Sequence, residues 1–188
     1  MNIDHSELAK RVIELSGGKQ NLSDEMDQKL ARISNKWDQD VGAIGRILRA
    51  HLFVEHFITE CLIAFNPALG DLDKARLSFS QKLALIENYS PEIQELAAGI
   101  RRLNKVRNQL AHTLEAKVTD KDKESLLSVK TFSALREELA KPGYPSDNNM
   151  DVVEDFAKHV GSRLESLADP GSLANRFQQA RREYEQRT

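Results

Sequence analysis

The apolar residues of this chain recur at three- and four-residue steps over most of its length, and this spacing constrains the fold more than any other feature. A period near 3.6 residues gathers apolar side chains on one face of an α-helix. The clearest case runs from about Val41 to Phe65, the most apolar helix of the chain. No alternating strand pattern of any length and no internal repeat is visible. We therefore predict an all-α fold with this helix at the centre of the core.

Turn-forming residues divide the predicted helices into three regions. Two N-terminal helices occupy residues 1–38, and Ser23 is the expected N-cap of the second helix. A helical core follows at 39–116, and a C-terminal helical extension occupies 117–188. The loop at 141–149 is dense in turn formers and is the best boundary between core and tail. A chain of 188 residues is long enough to bury a sizeable core in one or at most two domains.

The composition limits the classes of function. With 27 basic against 29 acidic residues, the chain has a net charge near zero and lacks the excess of positive charge typical of nucleic-acid-binding proteins. Any RNA must therefore bind to a local basic patch. The single cysteine, Cys61, lies in an apolar run and is predicted to be a buried small hydrophobic residue. There is neither a signal-like apolar N-terminus nor an apolar run of about 18 residues. We expect a cytoplasmic protein without a membrane segment.

The segment from Leu103 to His112 carries the groups best suited to chemistry. It continues a helical apolar stripe, so Arg107, Asn108 and His112 are predicted to lie on a helix. Five residues turn an ideal helix by roughly 140° and advance it by about 7.5 Å. Arg107 and His112 therefore do not share a face, whereas Asn108 and His112 do. A joint site of all three requires a distorted last turn or a second subunit.

These residue types suit acid–base chemistry at a phosphate. The pKa of an unperturbed histidine is about 6.5, so its imidazole exchanges a proton near neutral pH. Arginine holds a phosphate through two parallel hydrogen bonds and stabilises developing charge. Asn108 is expected to orient His112 or a phosphate oxygen. In the alternative interpretation, Arg107 and His112 are solvated helix-end residues, since a histidine at a helix C-terminus is favoured by the helix dipole.

The segment Arg107-Asn108-Gln109-Leu110-Ala111-His112 resembles the signature of the HEPN superfamily. That signature is an arginine, usually followed by Asn, His or Asp, and then a histidine after four to six residues. The preceding helical hairpin, Ile44 to Phe65 followed by Phe79 to Leu83, is also similar to that family. The resemblance covers about residues 40–116 and leaves both tails unexplained.

The resemblance implies an antiparallel helical bundle that forms a homodimer and places two such motifs across a shared cleft. In active members the cleft cleaves RNA without a metal or cofactor, and the histidine transfers protons at the ribose 2′-hydroxyl and the scissile phosphate. Arg107, Asn108 and His112 are then the catalytic residues. The basic residues beside them are the candidate RNA-binding patch: Arg101, Arg102 and Lys105. Otherwise this charge run is a solvated helix face.

The histidines of the apolar helix invite comparison with a zinc peptidase. His51 and His56 are five residues apart rather than four, so one helix cannot aim both at one metal. The pairs His51 with Glu55 and His56 with Glu60 are better placed for i,i+4 contacts, and no metal site is predicted. A further hypothesis has His51 or Glu55 facing the motif helix and lining the cleft. No nucleophile elbow or glycine-rich phosphate loop occurs, which disfavours serine hydrolases and nucleotide kinases.

Two other functions remain open. The stretch from Ser78 to Ile86 resembles the mannitol operon repressor family, which implies a non-catalytic helical regulator acting through protein partners. In that case the Arg-Asn-His motif is structural. The remaining alternative is a protein that binds RNA or a nucleotide without cutting it. Under the nuclease hypothesis, the implied role is that of a bacterial toxin or phage-defence enzyme, with an antitoxin or regulatory protein as a partner.

Overall fold

The computed structural model describes residues 4–38, 40–69, 75–114 and 117–185. All regular structure in these ranges is helical, so the fold is all-α as predicted. The helices are α1 (His5–Leu15), α2 (Lys19–Trp37), α3 (Val41–Phe65), α4 (Phe79–Ile86), α5 (Pro91–His112), α6 (Asp120–Leu127), α7 (Lys130–Ala140), α8 (Asn149–Ala168) and α9 (Leu173–Glu185), with a short 3₁₀ helix at Pro67–Leu69. They group into two compact units, Met1–Val41 and Gly42–Thr188.

The N-terminal unit is a hairpin of α1 and α2. Gly17 and Gly18 have φ angles of +76° and +119°, which allow the chain to reverse directly between the helices. The prediction that Ser23 caps the second helix was wrong, because α2 already begins at Lys19 with Gly18 as its N-cap. The two glycines complete the turn by themselves, so the residues up to Ser23 are free to be helical. No residue of either helix is buried.

The second unit contains one hydrophobic core to which α3 to α8 all contribute. Helix α5 packs against α4, α6 and α8, and α6 packs against α7 and α8. The largest fully buried side chains come from both the predicted core and the predicted extension: Ile47, Ile58, Leu62, Leu83, Ile86, Ile93, Leu96, Ile100, Leu103, Leu126, Phe132 and Phe156. Residues 117–168 thus help to bury the motif helix.

Local signals determine where several helices start and stop. Helix α3 ends at Phe65, directly before Asn66-Pro67, because proline disfavours the helical conformation of the residue before it. Helix α5 begins at Pro91, and the Ser90 hydroxyl accepts a hydrogen bond from the Ile93 amide. Helix α6 begins after Thr119, which forms a capping box with Asp122.

A glycine allows the motif helix to approach α8 closely. A Cβ atom on Gly99 would lie 2.3 Å from Cζ of Phe156, a ring that is itself completely buried. No side chain fits at position 99 unless that ring moves. The contact fixes the middle of α5 against the core, and the last turn of the helix projects beyond it.

Candidate functional site

The last two turns of α5 present the motif. The inward face of the helix is buried as far as Val106, whereas Asn108 and His112 are exposed. The helix ends at His112, and the Thr113 amide donates to the Gln109 carbonyl. Because the apolar stripe stops before the helix does, the final polar side chains face outward and do not pack into the core.

A groove of about 550 Å³ runs along this end of α5. Its lining residues are polar or basic: Ser80, Arg101, Asn104, Lys105, Asn108, Gln109, His112 and Thr113. Asn108 and His112 both line it, as expected for residues four apart on a helix. Arg107 does not, which agrees with the predicted angular separation from His112. Within one chain, therefore, the groove receives the asparagine and the histidine but not the arginine directly.

Arg107 is connected to the groove through a hydrogen bond to Asn108, which lines it. It is half-buried, and its Nη1 donates a 3.1 Å hydrogen bond to Oδ1 of Asn108. This bond directs the Asn108 amide, whose Nδ2 has no hydrogen-bond partner in the described part of the chain. The Arg107 Nε is buried and likewise lacks a partner there. An unsatisfied buried donor on a charged group is costly, so Arg107 retains capacity to bind an anion or water.

The three predicted RNA-binding residues are in different situations. Arg102 donates to Oδ1 of Asp122 at 2.6 Å, and its side chain is 18 % exposed against 2 % for that of Asp122. Arg101 pairs with Glu87, while its own side chain is 55 % exposed and lines the groove. Lys105 is exposed, lines the groove and forms no ion pair among the described residues. Lys105 is consequently the cation most available to a ligand.

A chain of hydrogen bonds connects the buried ring of His51 to the wall of the groove. Nε2 of His51 lies 3.0 Å from Oδ1 of Asn104, and Nδ2 of Asn104 donates to Oγ of Ser80 at 3.2 Å. The His51 ring stacks on Phe79 with centroids 4.3 Å apart. Burial lowers the pKa of His51, although the Asn104 hydrogen bond and the Glu55 charge oppose that shift. The neutral ring therefore donates through Nε2, which fixes the Asn104 amide at the groove wall.

Sequence reasoning missed Asn104, although a signal was present. Asn104, Asn108 and His112 are spaced by four residues, so they form one polar ladder on a helix. His51 or Glu55 was proposed to face the motif helix and line the cleft: His51 does contact Asn104 of that helix, but neither residue lines the groove. His51 is 5 % exposed and lies behind Asn104, while Glu55 accepts a 2.9 Å hydrogen bond from Lys82.

The other candidate groups of α3 do not come together at one site. His56 is exposed and lies 3.2 Å from Glu60, whereas His51 is buried, so the two rings point apart as their spacing predicts. Among the described residues, no cluster of three or more His, Cys, Asp or Glu side chains is arranged to hold a metal ion. Cys61 is fully buried, as predicted, and its thiol donates to the Leu164 carbonyl at 3.0 Å. Burial raises the pKa of this thiol to about 12.

The described helices include none with the length and apolarity needed to cross a bilayer. Neither protein-family models nor curated proteins nor solved structures gave a match to this chain.

Proposed function

We propose that this chain is a HEPN-type endoribonuclease that cleaves RNA without a metal and acts as a homodimer. The observation that carries the proposal is the shared groove of Asn108 and His112, which Lys105 and Arg101 also line. A general acid or base must reach its proton, and an exposed imidazole beside cations meets that need at a phosphodiester. Arg107 supports the site by holding the Asn108 amide.

The proposed reaction transfers two protons around one phosphorus. A neutral imidazole takes the proton of the ribose 2′-hydroxyl, the 2′-oxygen attacks the adjacent phosphorus, and the bond from phosphorus to the 5′-oxygen breaks. A protonated imidazole then supplies a proton to the leaving 5′-oxygen. The products are a 2′,3′-cyclic phosphate and a 5′-hydroxyl end. Lys105 and the amide of Asn108 are placed to offset the extra negative charge on the phosphate oxygens.

A homodimer fits this chemistry because each groove contains one imidazole. His51, the other histidine near the groove, is buried against Phe79 and hydrogen-bonded to Asn104. The second proton carrier is therefore proposed to be His112 of another copy of the chain. The same pairing is proposed to bring the two Arg107 side chains to the shared cleft, where the guanidinium of each holds the amide of its own Asn108.

The second candidate function is that of a non-catalytic helical regulator that acts through protein partners. In the stretch that resembles the mannitol operon repressor family, Ser78 and Gln81 form a capping box, and Phe79, Leu83 and Ile86 are buried. These roles are structural, and they suit a regulator as well as a nuclease. A purely structural motif, however, is expected to be buried with its hydrogen bonds made. The exposure of Asn108 and His112 speaks for a role that needs access to solvent.

The test is cleavage of a mixed RNA pool in EDTA by the purified protein. An Arg107→Ala/His112→Ala variant, matched in helicity and oligomeric state, is run beside it. We expect metal-independent cutting that the variant lacks. If the protein binds RNA without cutting it, and the variant binds more weakly, the chain is an RNA-binding protein and not a nuclease. If the protein neither binds nor cuts RNA, the regulator is favoured. If the nuclease is confirmed, a role as a bacterial toxin or in phage defence follows as the next hypothesis.

A further inference from the structure

A second cavity lies between α7 and α8, apart from the groove of the motif. Its volume is about 750 Å³, within the range of roughly 300–1,000 Å³ that is usual for small-molecule sites. Helix α7 supplies Phe132, Leu135 and Leu139, and helix α8 supplies Lys158, His159 and Arg163. None of these residues lines the groove beside His112. The proposed nuclease chemistry therefore leaves this cavity unexplained.

The α7 wall of the cavity is mainly apolar, and its one charged residue, Arg136, pairs with Asp155 of α8. Phe132 forms its floor and is buried, whereas Leu135 and Leu139 are 45 % and 77 % exposed. The spacing of three and four residues places them along one side of the helix. This wall therefore offers apolar surface that the described part of the chain leaves open to solvent.

The α8 wall is polar and carries an unsatisfied group. His159 is 7 % exposed, and its Nε2 is buried without a hydrogen-bond partner among the described residues. The ring lies against Phe132, with centroids 5.6 Å apart. Buried polar atoms of native proteins are almost always hydrogen-bonded, so an orphan in a cavity wall indicates a missing partner. Burial, followed by the charge of Arg163, lowers the pKa of His159, and only Glu95 opposes this shift.

The charges around the cavity favour an anion. Asp155 is the one acidic residue among the lining side chains, and it already accepts from Arg136 at 3.0 Å and lies 3.8 Å from Lys158. Arg163, one turn beyond His159, is half-buried and makes no ion pair or hydrogen bond in the described part of the chain. Two of the three lining cations thus share the one carboxylate, and the third, Arg163, is left with its hydrogen-bonding capacity unused.

We propose that this cavity binds a small carboxylic acid with an apolar chain. The carboxylate meets Arg163 and the unpaired His159, and the chain lies along Phe132, Leu135 and Leu139. The pairing follows from the two walls, because an apolar body alone leaves His159 and Arg163 unsatisfied, and a bare anion leaves the leucines exposed. An arginine also suits a carboxylate geometrically, since its planar donors match two oxygens.

The test measures binding of three probes to the full chain by calorimetry: octanoate, octanol with the same chain but no charge, and acetate with the charge but no chain. We expect octanoate to bind more tightly than either of the others. The proton resonance of the His159 ring, assigned with a His159→Gln variant, shifts on adding octanoate. Equal binding of octanol and octanoate overturns the anion site, and equal binding of acetate and octanoate overturns the apolar wall.

Variants locate the binding. Arg163→Gln removes one charge-assisted hydrogen-bonding group and is expected to weaken octanoate binding about tenfold while leaving octanol binding unchanged. Leu139→Ser, at an exposed position that folding tolerates, weakens both probes. Arg32→Gln, an exposed arginine of α2, is the control and changes neither. No octanoate binding at millimolar concentration, or binding that both cavity variants leave unchanged, overturns the proposal.

Discussion

Arg102 and Arg107 lie five residues apart on one helix, both partly buried, and only Arg102 forms an ion pair among the described residues. Arg102 meets the buried carboxylate of Asp122, which also accepts from the amide and hydroxyl of Thr119. Arg107 reaches only the Asn108 side chain, and its Nε has no partner in the described part of the chain. An arginine on this helix is therefore structural where it pairs with a carboxylate, and it keeps unused hydrogen-bonding capacity where no carboxylate is nearby.

The largest expected effect is the loss of the paired arginine. Arg102→Met leaves the buried carboxylate of Asp122 without its ion-pair partner, and breaking such a pair costs about 3–5 kcal/mol of unfolding free energy. Arg107→Met removes no buried ion pair and is expected to cost less than about 1 kcal/mol. Urea unfolding of both variants gives the comparison. Equal losses in the two variants would mean that Arg107 is as structural as Arg102.

The next effect concerns the contact that fixes α5. Gly99→Ala places a methyl group against the buried ring of Phe156 and is expected to destabilise the fold by about 1–3 kcal/mol. Gly45→Ala in α3 is the matched control, because no heavy atom lies within 4 Å of its added Cβ. There the substitution is expected to stabilise by about 0.5–1 kcal/mol through helix propensity. The same sign at both positions in denaturant unfolding would count against the close α5–α8 contact.

The buried ring of His51 predicts a pH dependence. Burial holds the pKa of His51 below its ordinary value of 6.5, so the unfolded chain binds this proton more readily than the folded one. Stability from this group is present above pH 6.5 and is lost as the pH falls toward the folded pKa. His51→Gln should reduce the fall in stability between about pH 7.5 and 5, and buried His159, whose pKa is also lowered, should account for part of the fall that remains. His56→Gln, at an exposed histidine, should not reduce the fall, and identical profiles for all three proteins would refute the assignment.

The smallest expected change in the free energy of unfolding is for substitution of Lys105, the exposed lysine of the groove. Lys105→Gln is expected to change the unfolding free energy by no more than about 0.5 kcal/mol, because the side chain is exposed and unpaired among the described residues. Under the proposed function, it weakens RNA binding and lowers the slope of log affinity against log salt by about 0.7. Filter binding over a salt series measures this slope. An unchanged slope would place the RNA elsewhere on the chain.

Much of this architecture could be predicted because local chemistry determines it. Pro67 ends α3, the pair Ser90-Pro91 starts α5 and Thr119 starts α6 through contacts within a few residues. The false start at Ser23 shows the limit of a capping signal where two glycines have already turned the chain. Such signals concern only neighbouring residues.

The contacts of the candidate site could be predicted only in part. Helical spacing correctly placed Asn108 and His112 on one face and Arg107 on another. The bond between His51 and Asn104 joins residues 53 apart, and the pair of Arg102 with Asp122 joins residues 20 apart. The sequence suggested only that His51 or Glu55 faces the motif helix. It identified neither Asn104 as the partner of His51 nor Asp122 as that of Arg102, because these contacts depend on how α3, α5 and α6 pack together.

The most direct test of the central claim compares two exposed histidines. RNA cleavage in EDTA is measured for the wild type, His112→Ala in the groove and His56→Ala outside it. Loss of an acid–base group is expected to lower the rate about 10²–10⁴-fold for His112→Ala, while His56→Ala retains the wild-type rate and the products carry 2′,3′-cyclic phosphate ends. Cleavage that survives in His112→Ala would contradict the assignment of this groove as an active site.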